Sequence, residues 1–261
     1  LGNTPAGAGL KGSPWQIAES PQALAFLARQ VVPASPARRA LIISTFNALL
    51  TTGLFGDLDV LQIRAAEDAQ SACLNWVANQ YNASPIASPA FTADRGFVGD
   101  GSNSYVDTGF NPATAVSPKF TQDSASYGLW NLTNQTSSSP QGQFNVTGTT
   151  LNVRNASDQV VGRINEATNT TYATGMTDAR GLVSINRSGP SSTQGFKSGL
   201  LVGSGVGASS PVLNADFTDG WAVTFNTYQF AAVFIGRSLS ADKQAALYTI
   251  LANYMAAVGA A

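Results

Sequence analysis

RGFVGDGSNSYVDTGF, residues 95–110, is the stretch on which the reading of the fold turns. Residues 95–98 and 104–108 each read as a short strand. The Gly, Asp, Ser and Asn between them supply positive φ and side chain-to-backbone hydrogen bonds where a chain reverses, so together they predict a hairpin. Upstream the pattern is helical and Ala-rich. Downstream it becomes short apolar segments separated by Gly, Asn, Ser and Thr. A β-domain is expected to begin here and to carry the surface chemistry.

On the upstream side, residues 1–20 are rich in Gly, Ala and Pro and read as an extended arm or linker. They show no apolar run behind a basic start, so a signal peptide is not expected. Because the first residue is Leu and not Met, the chain reads as a processed product or as part of something longer. Residues 21–90 read as a helical lead-in. Ser20-Pro21 and Ser35-Pro36 each place an N-cap before a proline at the first helical position. The second of these helices carries Leu41, Ile42, Phe46, Leu49 and Leu50 on one face and stops near Gly53. Residues 58–64 alternate as a strand, and 65–79 predict a third helix burying Ala69, Cys73, Trp76 and Val77.

On the downstream side, strands are expected at 125–132, 143–146, 151–155, 159–164, 182–187, 195–197, 200–203 and 229–236. Spacing of about 8–12 residues with turn signals between them predicts a sandwich. QFAAVFIG, residues 229–236, is nearly continuous in apolar residues, as a strand covered on both faces should be. The final helix supplies a cover, with Ser240 as N-cap and Leu247, Ile250, Leu251, Tyr254 and Val258 as one apolar stripe. That stripe is expected to pack on the N-terminal helices or on the convex face of the sheet.

Charged residues make up only 11% of the chain and the net charge is −1, so nucleic acid and anionic membranes are not expected partners. The apolar C-terminal run falls short of the roughly 20 residues needed to cross a bilayer. Such a neutral, hydroxyl- and amide-rich surface suits an assembly or an extracellular setting. There is no histidine, which removes the Ser-His-Asp triad, His-based zinc sites and His acid–base chemistry. Cys73 is the sole cysteine and reads as a small buried apolar residue.

AFTADRGFVGDGSNSYVDTGFNPAT (90–114), YGLWNLT (127–133) and AAVFIGRSLSADKQAALYTILANYM (231–255) resemble the concanavalin A-like (laminin-G-like) jelly-roll domains of bacteriophage structural proteins. NWVANQYNASPIASPAFTADRGF (75–97) is similar to the junction between lead-in and jelly roll in those proteins. The resemblance spans about residue 65 to the end. It implies a mainly β fold: a concanavalin A-like antiparallel β-sandwich over 91–261, with its C-terminal helix packed on it. It also implies a non-enzymatic virion protein on the exterior of a phage particle, as fibre, spike or capsid decoration. The implied partners are other head or tail proteins, copies of itself (a trimer fits) and a host surface glycan. The alternatives are a dedicated carbohydrate-binding receptor-recognition module and a polysaccharide depolymerase.

The residues themselves give little for catalysis. Retaining glycosidases need paired carboxylates about 5–5.5 Å apart. Of the three Glu, Glu19 and Glu67 lie in the helical region and Glu166 in a loop-like stretch. Asp94, Asp100 and Asp107 are explained by turn-forming and strand-end roles. Calcium is the one cofactor weighed. Asp100, Ser102 and Asn103 offer oxygen ligands, but they are short of anionic groups and suit an Asx-turn equally. For glycan or partner binding, the candidates are Tyr105, Tyr127, Trp130, Asn131, Trp221 and Tyr228, because sugars use aromatic faces flanked by neutral hydrogen-bonding groups. The competing reading puts Trp130 and Trp221 in the core.

Overall fold

The computed structural model describes residues 19–143, 148–220 and 225–261. The N-terminal part forms α1 (Pro21–Leu27), α2 (Pro36–Thr51), β1 (Leu58–Ile63), a single turn α3 (Ala69–Ala72) and β2 (Ser84–Ile86). Then follow β3 (Ala90–Thr92), β4 (Gly96–Val98), β5 (Tyr105–Asp107), β6 (Ala125–Asn131), β7 (Gln141–Gly142) and β8 (Thr150–Asn152). The chain continues through β9 (Val160–Arg163), β10 (Thr170–Ala173), β11 (Gly181–Gly189), β12 (Ser192–Lys197) and β13 (Leu200–Gly205). It closes with β14 (Thr218–Asp219), β15 (Gln229–Gly236) and α4 (Ala241–Ala257). The strands make two antiparallel sheets. The larger runs β13-β12-β11-β6-β15-β4-β3, with β1 also paired to β15. The smaller runs β10-β9-β8-β7-β14-β5-β2.

Alternation along the central strands separates two cores. On β6 and β11, Tyr127, Leu129, Val183 and Ile185 point between the sheets and meet Phe110, Phe120, Leu151 and Phe217. Trp130 and Leu182 point the other way, under a layer of helices. β15 does the same, as its apolar run predicts: Phe230, Val233 and Ile235 face inward while Ala232 and Phe234 face the helices. A bulge between Phe230 and Ala232 lets Ala231 join the outer set. The stripe on α4 packs on both expected surfaces. Leu247, Leu251 and Tyr254 are buried together with Phe46 and Leu49 of α2 and with Phe234 of the larger sheet.

The serine caps form as read. Ser20, Ser35 and Ser240 accept the backbone N–H groups of Ala23, Arg38 and Lys243. The helix expected over 65–79 shrinks to Ala69–Ala72. Asn75 explains this, because its amide bonds the backbone instead of leaving it to a helix. Its Oδ1 accepts from Leu61 and Val77 N–H, and its Nδ2 donates to the Asp59 and Gln80 carbonyls. Trp76 is thereby delivered to Phe26 and Phe46, stacking on the latter at 5.0 Å. Cys73, half-buried, caps the short α3 turn.

Residues 95–110 are not a hairpin. β4 pairs with β3 and β15 in the larger sheet, whereas β5 pairs with β2 and β14 in the smaller. The loop between them carries the chain from one sheet to the other. Asp100 turns it, its Oδ1 accepting the N–H groups of Ser102, Asn103 and Ser104. A Cβ at Gly99 would lie 2.3 Å from the Asn226 carbonyl oxygen, so the crossing passes tight against the loop before β15. Pairing also runs across residue 90, since β1 pairs with β15 and β2 with β5. The expected arm at 1–20 lies outside the described residues up to 18, and most of the strand expected at 143–146 does too.

Candidate functional site

β6 ends beside the start of β11, with Asn131 opposite Gly181. Just there, next to α4, the surface opens into a cleft of about 430 Å³. Trp130, Asn131 and Leu132 bring the strand end to it, and Tyr248 and Ala252 bring α4. Asp178 and Arg180 come from the lead into β11, Ser198 from the β12–β13 turn, and Arg95 from the β3–β4 turn.

The Trp130 and Tyr248 rings stack at 5.9 Å with an interplanar angle of 11°. Trp130 is only 4% exposed, so little of its ring is open to the cleft. Asn131 shapes the wall. Its Nδ2 donates to the Thr133 and Ala179 carbonyls and its Oδ1 accepts from Thr133 N–H, which occupies the whole amide.

Charge enters from the rim. Asp178 holds Arg180 in a fork, with Nε at 3.0 Å from Oδ1 and Nη2 at 2.8 Å from Oδ2. That grip holds the Asp178 carboxyl down to about 2. Lys197 donates to the Arg180 carbonyl. Burial draws its ammonium down to about 8, with the Arg180 charge adding to that and Asp178 opposing it. Arg95 is exposed and donates Nη2 to the Gly259 carbonyl at 3.0 Å, tying the β3–β4 turn to the end of α4. Its neighbour Asp94 pairs with Arg38 of α2, so one turn is fastened to two helices.

A second depression, of about 300 Å³, lies over β8 and β9 of the smaller sheet. Thr150, Asn152, Ser138, Ser157 and Asn169 line it without any charged group. It is smaller, and among the described residues no aromatic side chain lines it.

Of the residues singled out in the sequence, Trp130 and Asn131 share the first cleft. Tyr127 does not reach it: it is fully buried between the sheets, 5.1 Å from the Phe217 ring. Tyr228 is also interior, its hydroxyl donating to the Gln135 and Arg154 carbonyls. Both are corrected to core residues. Tyr105 is half-buried on β5, near the ring of Phe225. Trp221 lies outside the described residues. Of the residues weighed for calcium, Asp100, Ser102 and Asn103, Asp100 has its Oδ1 taken by three backbone amides, which hold its carboxyl well below its ordinary range. Among the described residues no three His, Cys, Asp or Glu converge as metal ligands.

Reading the sequence missed Arg95, Asp178, Arg180, Ser198 and Tyr248. A signal was present in the scarcity of charge, which makes the D-A-R of 178–180 conspicuous.

No protein-family model and no curated protein matches the chain. Solved structures do. A structure from work on botulinum neurotoxin type C, whose cell entry depends on interaction with two ganglioside molecules, aligns with a TM-score of 0.56 at 10% identity, over 77% of this chain and 53% of that one. Domain 4 of an extracellular GH43 arabinanase from Geobacillus stearothermophilus, in complex with arabinotriose, aligns with a TM-score of 0.50 at 10% identity, over 74% and 98%. The binding domain of botulinum neurotoxin serotype D gives 0.51 at 11%, over 75% and 52%. This chain therefore spans about half the length of the toxin chains it matches. At such identities the likeness concerns the fold, which is a concanavalin A-like jelly-roll sandwich with helices at both ends of the chain.

Proposed function

We propose that this chain is a non-enzymatic surface protein of a bacteriophage particle whose sandwich engages host-surface glycans. The observation that carries the binding role is the cleft where the Trp130–Tyr248 stack meets hydroxyl and guanidinium groups. Saccharides are recognised by that combination of apolar ring surface and convergent hydrogen-bonding groups. The ganglioside and arabinotriose named for two similar structures are in keeping with it. Support for the phage setting comes from the sequence resemblance of 90–114, 127–133 and 231–255. The low charge fits burial of the attachment side among other subunits, with a trimer as the expected assembly.

Against a depolymerase stands the carboxylate count: among the described residues Asp178 is the only acidic side chain lining either cleft, where hydrolysis needs two. Screening the purified protein on a glycan array tests the binding role, and Tyr248→Ala should abolish whatever signal appears. Release of reducing ends from a bound polysaccharide would return the depolymerase. Electron microscopy of intact particles tests the virion location, and a monomer persisting at high concentration in sedimentation would remove the trimer.

A further inference from the structure

We infer that the cleft beside Trp130 is specific for an acidic sugar, a saccharide unit bearing a carboxylate. This rests on the glycan-binding reading of the same cleft and narrows it to one ligand chemistry.

In a chain with 11% charged residues, several of the charges are neutralised in pairs at least partly buried. Arg64 pairs with Asp219, Arg187 with Glu166, Arg38 with Asp94 and Lys243 with Asp57. Around this cleft the balance differs. Two guanidinium groups, Arg95 and Arg180, line it with one acidic side chain, Asp178, and the Lys197 ammonium donates to the Arg180 carbonyl. Side-chain charge at the site is therefore positive in a chain whose net charge is −1.

The donors are also held in place. Asp178 takes Nε and Nη2 of Arg180, which fixes the guanidinium plane and leaves Nη1 without a protein acceptor among the described residues. The Gly259 carbonyl takes Nη2 of Arg95, leaving its Nε and Nη1. Guanidinium groups meet a planar carboxylate with parallel, charge-assisted hydrogen bonds. Leu132, Ala252 and the Tyr248 ring supply apolar surface for the C–H faces of the sugar ring, and Ser198 supplies a hydroxyl. A purely neutral sugar would leave the guanidinium donors facing only hydroxyls, a weaker match.

Calorimetry on the full chain tests this with three probes: oligosaccharides ending in sialic or glucuronic acid, the same compounds with the carboxyl reduced to an alcohol, and sulfated neutral oligosaccharides. One charge-assisted hydrogen bond corresponds to roughly a tenfold or greater change in affinity. The carboxylate sugar should bind at least about tenfold tighter than its reduced form. Arg180→Gln and Arg95→Gln should each erase that ratio while leaving the melting temperature in place, since both side chains are exposed. Equal binding of acid and alcohol would overturn the acidic-sugar inference and leave glycan binding standing, and so would preference for the sulfated probe. Binding of none of the three, with no hit on a broad neutral array, would overturn both.

Discussion

Arg64 and Asp219 form an ion pair sealed between the two sheets, with Nη1 2.5 Å from Oδ2 and the side chains 0% and 4% exposed. Arg64 follows β1 of the larger sheet and Asp219 ends β14 of the smaller, so the pair fastens one layer to the other. Arg64 Nη2 donates a hydrogen bond to Gln62 Oε1 at 3.0 Å. Burial pushes the Asp219 carboxyl up, and the Arg64 charge counters that push. Removing one partner leaves the other charge buried alone, which typically costs about 3–5 kcal/mol. Asp219→Asn should therefore lower the urea-unfolding free energy by an amount on that order. Arg64→Met with Asp219→Leu should recover most of the loss. A single variant as stable as the parent would show that the pair contributes nothing.

What the sequence made legible was local or strongly periodic. The Ser-Pro caps of α1 and α2 depend on a few adjacent residues, and the apolar run of β15 declares burial on both faces. What it hid depends on partners far along the chain. β2, β3 and β14 are two or three residues long and exist only through pairing, so no period can announce them. The crossing at 95–110 looks like a hairpin because an Asx-turn reads the same whether the flanking strands pair or part. For the site, Trp130 and Asn131 were legible as an aromatic–amide pair on a strand. Their neighbours Tyr248, Arg180 and Arg95 come from three other segments and converge only through the fold.

Gly128 occupies the outer face of β6 beneath Phe234. A Cβ there would lie 2.3 Å from the ring and 2.7 Å from Ser184 Cβ. Overpacking of this kind costs about 1–3 kcal/mol. Gly128→Ala should be destabilised by that amount in thermal unfolding. With Phe234→Leu in the background its added cost should shrink, a coupling expected of residues in contact. Strict additivity of the two changes would refute the packing.

Lys197 is drawn down to about 8 in the folded protein by burial, with Asp178 and Arg180 the charges facing it. A lysine in an unfolded chain titrates near 10.4. Between these values the unfolded state binds more protons, so stability contributed by this group rises with pH through that window and is lost as pH falls through 8. Tyr172, Tyr228 and Tyr254, raised to about 12 by burial, act in the opposite sense above about 10. Cys73, whose thiol burial raises, opposes Lys197 in the same window. Stability measured from about pH 8 to 10 in the Lys197→Met variant should therefore rise less steeply, or fall more, than in the parent. A lysine resonance titrating at the ordinary value by NMR would contradict it.

Asp100 holds its loop through backbone amides. Asp100→Ala should accelerate hydrogen exchange at the N–H groups of Ser102, Asn103 and Ser104, which share its Oδ1. Added calcium should leave the melting temperature of the parent unchanged. A rise in the parent that Asp100→Ala abolishes would restore the calcium site.

Leu251 sits at the centre of the stripe that joins α4 to the rest, with no exposed surface. It belongs to one core with Phe46 of α2 and Phe234 of β15, so α4 is gripped from both sides at this residue. Truncation to Ala in such a core costs about 2–5 kcal/mol. A carboxylate there would meet only apolar neighbours, a far larger penalty. Leu251→Ala should thus lower the melting temperature while keeping a cooperative transition, and Leu251→Asp should unfold the domain or release its C-terminal helix to proteolysis. If Leu251→Asp melts at the parent temperature, α4 does not pack on the sheet. The cleft it shares with Trp130 would then lose Tyr248 and Ala252 as walls.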